Sequence, residues 1–405
     1  MEDKYDVIVV GAGPAGGAAA FFLGRAGQRV LVLEKAELPR YKPCGGAISA
    51  GLLARFPFSF DPIIESDIIE TAYVLGDRTV RIPVPRGAIQ MVMRDRFDSW
   101  IVSHAEAEVR TSSTVRLIVE NEEQVVVETA SGERFTASYL IGADGANSIV
   151  ANKLGLRQKR QMAAAVEAEI PVDPEVMKRF ADKSIFIFGE VRKGYLWIFP
   201  KAGHLSVGIG TLRRERTDLK KTLERVMARY GISLEGAKLR GHPVPIYRRH
   251  ETISTERALL VGDAAGLVDP FTGEGIRMAV KSAQLAAQAI VAGDIAQYQR
   301  SVHREIGRSH LYGRVLASAF FYFPRASFTL IAQNPLLTQA MVDLISDRAD
   351  YPAVISRLIL GLPAYIAKAT VAAVANGIGS VLGRRQARAE VEPKIATRNL
   401  PDDRR

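Results

Sequence analysis

The chain has 405 residues, 47% of them apolar and 24% charged, which excludes intrinsic disorder and allows a sizeable core. Its one cysteine, Cys44, excludes an intramolecular disulfide and a cysteine-rich metal site, and fits a reducing, cytoplasmic setting. Much of the +10 net charge lies between Lys201 and Leu260, a basic stretch suited to an anionic membrane surface or a phosphorylated ligand. Nucleic acid is disfavoured, because no binding motif accompanies the charge. The first residues lack the basic-then-apolar order of a signal peptide.

In chain order, Tyr5–Val10 reads as a short buried strand that ends in Gly11. An alanine-rich helix follows from about Pro14 to Arg25, then a second β-run from Arg29 to Glu34. Such a strand–helix–strand unit is the module of a parallel sheet. Val115–Glu120 and Val125–Thr129 read as a hairpin. Further β-runs come at Ser184–Phe188, Tyr195–Phe199 and Leu205–Ile209, and a basic helix is expected from about Asp218 to Tyr230. Ala258–Gly262 returns to a buried strand, with a long helix starting near Gly275. The last hundred residues read as helical and apolar. Their uncharged runs, 326–342 and 369–383, are too short to span a membrane comfortably, and Gln333-Asn334-Pro335 interrupts the first.

Gly11-Ala-Gly13-Pro-Ala-Gly16 matches GxGxxG, follows a strand and opens a helix, and Glu34 ends the next strand where a ribose-binding acid belongs. The glycines permit a tight turn, close approach to a pyrophosphate and close helix–strand packing, and the helix start offers free N–H groups to phosphate. Two later strands end in acidic turns, at Asp144-Gly145 and at Gly262-Asp263, the latter leading to Asp269-Pro270 and Gly273-Glu-Gly275-Ile276. With Arg94-x-x-Phe97-Asp98, these motifs resemble the signatures of the aromatic-hydroxylase-like flavoprotein superfamily. That resemblance implies FAD, with Asp263 on the ribityl chain, the Gly273–Ile276 helix start near the flavin and Arg94 close by. With no second strand-flanked GxGxxG in the sequence, a nicotinamide would be a transient reductant only.

Tyr195, Trp197 and Phe199 alternate, so on a strand they share one face. Such a wall suits a long apolar ligand, although alternation alone fits a sheet face packed on a helix equally well. Tyr41-Lys-Pro43-Cys44-Gly45-Gly46-Ala47 and Gly194-Tyr-Leu-Trp-Ile-Phe-Pro200 resemble the P-x-C-G-G-like loop and the YxWxFP segment of the geranylgeranyl reductase family. The resemblance runs from the N-terminus to about Ala289. It implies reduction of isolated C=C bonds in geranylgeranyl chains on a lipid, diphosphate or chlorophyll-type carrier, with NAD(P)H or reduced ferredoxin as electron donor. Peripheral contact with the cytoplasmic face of a membrane is expected from the apolar C-terminal part, with no metal. The family pattern further implies cofactor contacts from Gly11, Gly13, Pro14, Ala15, Gly16, Glu34, Lys35, Cys44, Gly45, Gly46, Ala47, Arg94, Val115, Asp144, Gly145, Asp263, Pro270, Gly273, Gly275 and Ile276. Substrate contacts are implied for Tyr195, Trp197, Phe199, Pro200 and Phe271, and catalysis for Cys44 and Tyr195. None of the six histidines falls in a motif, and none is given a role.

The expected architecture is an α/β composite: a Rossmann-like FAD-binding domain, an inserted antiparallel β-sheet substrate domain and a C-terminal helical region. Its boundaries are read as 1–75, 94–160 and 255–300 for the FAD-binding domain, 76–93 and 161–254 for the β-sheet domain, 301–383 for the helices and 384–405 for the tail. The alternative reading is a flavin-dependent monooxygenase or halogenase, whose WxWxIP segment Tyr195–Pro200 partly imitates. A prenyl-binding escort related to GDP-dissociation inhibitors is disfavoured by the intact FAD signatures.

Overall fold

In the computed structural model, which describes residues 4–159, 161–212, 218–357 and 359–360, the N-terminal apolar run sits at the centre of a seven-stranded sheet. Lys4–Val10 pairs in parallel with Val30–Leu33 on one side and with Arg134–Gly142 on the other. Glu108–Arg110 and Ala258–Leu260 extend the parallel part, and the hairpin Val115–Glu120/Val125–Thr129 closes the antiparallel edge. All four residues of Val30–Leu33 are buried, as continuous apolar runs are in parallel sheets covered on both faces. Helix Pro14–Arg25 packs against helix Ile276–Val291, so segments some 260 residues apart in sequence share one core.

A second seven-stranded sheet runs in the order Arg240–Pro245, Met162–Pro171, His204–Thr211, Gly194–Pro200, Lys183–Phe188, Glu70–Leu75 and Arg78–Pro83. All its pairings are antiparallel except that of Lys183–Phe188 with Glu70–Leu75. Helix Leu219–Arg229 buries Leu223, Val226 and Met227 in the core on one face of this sheet. A three-stranded sheet of Ala47–Ser49, Ile89–Val92 and Ile64–Asp67 joins the two layers.

One boundary needs correction. Glu70–Leu75, assigned by sequence to the FAD-binding part, belongs to the second sheet, because its partners are Arg78–Pro83 and Lys183–Phe188. It forms a local hairpin with Arg78–Pro83, and its parallel pairing with Lys183–Phe188 ties that hairpin into the sheet.

The helices Arg308–Tyr322, Pro324–Gln333 and Pro335–Ile345 follow in the C-terminal part. The break at Asn334 is where the sequence puts it: Pro335 cannot continue the preceding helix, and the Asn334 side chain caps the next by accepting from the Leu336 N–H at 3.0 Å. The compact unit ends at Val354, and Ile355–Arg405 forms a second unit. The uncharged run 369–383 and the tail 384–405 lie outside the described residues. Among the described residues, no helix is long and apolar enough to cross a membrane.

Candidate active site

Two of the three fingerprint glycines, Gly11 and Gly16, are sterically obligatory. Gly11 has φ +101°, and a Cβ there would sit 2.6 Å from the Ala143 carbonyl oxygen. A Cβ on Gly16 would overlap the Gly11 carbonyl oxygen. At Gly13 the only neighbours of such a Cβ are the guanidinium ends of Arg40, at 3.6 Å, and Arg94, at 4.0 Å. The start of helix Pro14–Arg25, with Pro14 and Ala15 in its first turn, therefore faces two cations, a setting made for phosphate. Glu34 is only 3% exposed. It accepts from the Ala12 N–H at 2.7 Å and the Ala36 N–H at 3.1 Å, with Arg40 at 3.4 Å. Lys35 beside it is exposed, and the Val115 side chain is spent in the core of the first sheet.

Asp144 caps the short helix Ile149–Lys153, accepting from the N–H groups of Ile149 at 2.6 Å and Val150 at 3.1 Å. Its other oxygen is buried without a partner, burial raises its pKa, and the position beside Gly145 is open. Asp263 sits in a tight turn between Gly262 and Gly266, its carboxylate on the wall of a large cavity next to Gly275, the N-cap of helix Ile276–Val291. Burial raises its pKa against the pull of Lys42, Arg94 and Arg157. An orphaned carboxylate oxygen, a second carboxylate on a cavity wall and a glycine cradle facing guanidinium groups fit the ribityl, ribose and pyrophosphate parts of FAD.

The cavity, about 330 Å³, lies between the first sheet's loops and the face of the second sheet. Cys44, Gly45, Gly46, Ala47 and Arg94 line it together with Pro270, Phe271, Gly273, Gly275 and Ile276. Arg94 opens its helix and holds Asp98 through two contacts of 2.8 Å, while the Cys44 sulfur accepts from the Gly46 N–H at 3.4 Å. Burial opposes the Arg94 charge, yet Asp98 and Cys44 raise its pKa overall, so the guanidinium stays charged beside the thiol.

Tyr195, Trp197 and Phe199 share the cavity face, as alternation requires, with ring centroids 6.3 Å apart in each successive pair. Phe186, on the neighbouring strand, extends the wall at 5.2 Å from Phe199. Pro200 does not line it. By the same period of two its side chain leaves the opposite face, and its carbonyl accepts from Ser66 Oγ at 2.8 Å, which corrects its assignment to the substrate contacts. The Tyr195 hydroxyl donates to the Thr272 carbonyl at 2.5 Å, and burial, then Asp269, pushes its pKa well up.

Several site residues escape motif reading. Lys42 Nζ lies 2.8 Å from His242 Nε2, and both line the cavity. Burial, with Arg94 behind it, lowers Lys42 to about 8; burial and Lys42 lower His242 to about 4. Tyr41 donates to Glu167 at 2.8 Å, while burial and Glu169 raise Glu167 to about 8. Asp269 is buried under the Pro270–Gly273 loop, where one oxygen accepts from the N–H groups of Phe271 and Thr272 and from the Tyr351 hydroxyl at 2.8 Å. Lys42 adjoins the Pro43-Cys44-Gly45-Gly46 motif, a local signal that could have found it. His242 carries no local signal; only its register opposite Ala165 brings it in.

The comparisons agree with this geometry. The FAD binding domain family matches residues 85–293, and the FAD dependent oxidoreductase family matches residues 6–152. The chain is 32% identical to a geranylgeranyl diphosphate reductase of Rhodobacter capsulatus, over 71% of this chain and 75% of that one. It is also 32% identical to digeranylgeranylglycerophospholipid reductase 2 of Methanothermobacter thermautotrophicus, over 76% of this chain and 85% of that one. A geranylgeranyl bacteriochlorophyll reductase-like structure from Thermoplasma acidophilum superposes with a TM-score of 0.71 at 25% identity, covering 90% of this chain and 98% of the other. The flavin-dependent brominase Bmp2, with a TM-score of 0.67 at 20% identity over 85% of this chain and 94% of that one, shares the fold.

Proposed function

Because the chain belongs to the geranylgeranyl reductase family of FAD-dependent oxidoreductases, we propose that it saturates isolated C=C bonds of a geranylgeranyl chain held along the Tyr195–Trp197–Phe199 wall. The observation that carries this reading is that one cavity is lined both by the Asp263 and Gly273–Ile276 loops and by the aromatic strand. Glu34, Gly13, Asp144, Asp263 and the Gly273–Ile276 segment would hold FAD. Bound and reduced, it supplies a hydride.

An unactivated alkene offers no carbonyl to absorb charge, so the second carbon must receive a proton as the first receives hydride. Cys44 is suited to give it: its thiol lines the cavity together with Arg94, and solvent restores the proton after turnover. Tyr195 is the poorer acid, its proton committed to Thr272 and its pKa raised, and it serves to fix the Phe271–Gly273 loop against the wall. The aromatic rings contribute proximity and exclusion of water.

The reductant, NAD(P)H or ferredoxin, comes and goes as a transient partner in this reading. A peripheral membrane contact is part of it too. Helices Arg308–Tyr322 and Pro324–Gln333 expose Val315, Tyr322, Phe323 and Leu330 beside Arg314 and Arg325, while Phe321 reaches the cavity.

The test is product analysis with oxygen excluded. Protein reduced with dithionite and given geranylgeranyl diphosphate or a geranylgeranyl lipid should yield product heavier by about two hydrogens per turnover, one hydride plus one proton. Failure of every prenyl carrier, with an oxygenated or halogenated product formed in air with halide, would sink the proposal in favour of the monooxygenase or halogenase reading.

A further inference from the structure

Lys201 follows the aromatic strand directly and continues its parity, so Trp197, Phe199 and Lys201 meet the same loop. It is 1% exposed. Its ammonium donates to the Gly45 carbonyl at 2.8 Å and to the Val92 carbonyl at 2.6 Å. Gly45 adjoins Cys44, and Val92 stands two residues before Arg94, so one cation clasps the chain beside two residues of the cavity wall. Gly46 has φ +72°, and a Cβ there would overlap both Lys201 Nζ and the Val92 oxygen. A Cβ on Gly45 would press on the Phe199 ring at 2.8 Å. The paired glycines of the loop are thus the space that the strand and its lysine require.

A buried ammonium is costly unless it is paired, and an apolar side chain of similar length would fill the same volume without that cost. The acids facing Lys201 are Glu65 from the joining sheet and Glu167 and Glu169 from strand Met162–Pro171, with Cys44 from the loop itself. None of these carboxylates takes the place of the two carbonyls in its hydrogen bonding.

We infer that Lys201 is a positioning residue, a buried clasp that joins the Cys44–Gly46 loop to the Val92 end of its neighbouring strand and so fixes the Cys44 thiol in the cavity wall. The inference deepens the proposal that Cys44 gives the proton and rests on it for its catalytic meaning.

Cys44 is the sole cysteine, so thiol chemistry reports on it alone. The full-length, FAD-loaded protein is compared with Lys201→Met and Lys201→Gln by hydrogen exchange and by iodoacetamide alkylation at about pH 9.5, above the ordinary thiol range. Lys201→Met should keep its flavin absorbance and melting temperature. Backbone exchange in residues 42–48 and 90–96 should quicken together by about tenfold, and alkylation by about tenfold, with Lys201→Gln in between. Unchanged exchange and alkylation in Lys201→Met would overturn the clasp. Should Lys201→Met fail to fold, Lys201→Gln decides by the same two rates, and unchanged rates again overturn it. A Cys44→Ala protein that still reduces prenyl substrate at the wild-type rate refutes the proton-donor reading alone, because the exchange measurement does not depend on it.

Discussion

The glycine-rich end and the aromatic end of the candidate site are built on opposite principles. At the nucleotide end, backbone does the work: Gly11 and Gly16 clear space, helix Pro14–Arg25 presents its N–H groups, and Asp144 and Asp263 sit on tight turns a few residues from the strands that place them. At the aromatic end, side chains do the work, and they are assembled by pairing across the second sheet, Phe186 beside Trp197 and His242 beside Ala165. Steric exclusion by backbone tolerates no substitution, whereas an aromatic wall loses area by degrees. Damage at the first end should therefore abolish the cofactor, and damage at the second should degrade substrate handling while the protein stays yellow.

The largest effect is expected at Gly16. Gly16→Val places a side chain on the Gly11 carbonyl, and with no room for strand and helix to part the cost should exceed about 4 kcal/mol. The protein should be insoluble or colourless on expression; a soluble yellow variant would break the contrast at its root. Asp263→Ala comes next. It should stay folded and lose FAD affinity by about tenfold to a hundredfold, for about 1–3 kcal/mol of unpaired ligand polarity, as read by flavin release on dilution.

Trp197→Ala should leave flavin affinity unchanged and weaken binding of a geranylgeranyl ligand by about tenfold, or shift which double bonds are reduced. Equal loss of flavin and ligand in that variant would show that the two ends are not separable.

The extent to which the site could be read from sequence follows the same division. Tyr5–Val10, the glycine fingerprint, the hairpin and the turns at Asp144 and Asp263 announce themselves, because each is a local device whose residues are neighbours in the chain. Alternation correctly placed Tyr195, Trp197 and Phe199 on one face, and carried one residue further it argues against Pro200 and for Lys201. The boundary at residue 75 cuts the Glu70–Leu75/Arg78–Pro83 hairpin, whose place is set by distant Lys183–Phe188, and His242 owes its place to a strand nearly eighty residues away in sequence. Tyr351 reaches Asp269 from the end of the compact unit, and no pattern near either residue signals it.

The last expected effect concerns Lys42, at the junction of the two ends. Burial lowers its pKa from 10.5 to about 8. The unfolded chain therefore binds this proton more tightly than the folded one, so stability rises as pH climbs through that interval. Relative to Lys42→Met, the FAD-stripped wild type should gain stability between about pH 8 and 10.5, by no more than about 3 kcal/mol. Denaturant titrations of both proteins across that range would show parallel curves if Lys42 kept an ordinary pKa.

The central claim is that the two ends serve a single reaction, with the prenyl chain delivered by the aromatic wall to the reduced cofactor. It is tested most directly by stopped-flow re-oxidation of the dithionite-reduced protein under argon, with and without geranylgeranyl substrate, in wild type and Trp197→Ala. The account predicts that substrate alone restores the oxidised flavin spectrum in the wild type and that Trp197→Ala needs higher substrate concentrations for the same rate. A flavin that stays reduced under argon with every prenyl substrate, and returns to the oxidised form only when air is admitted, would contradict it.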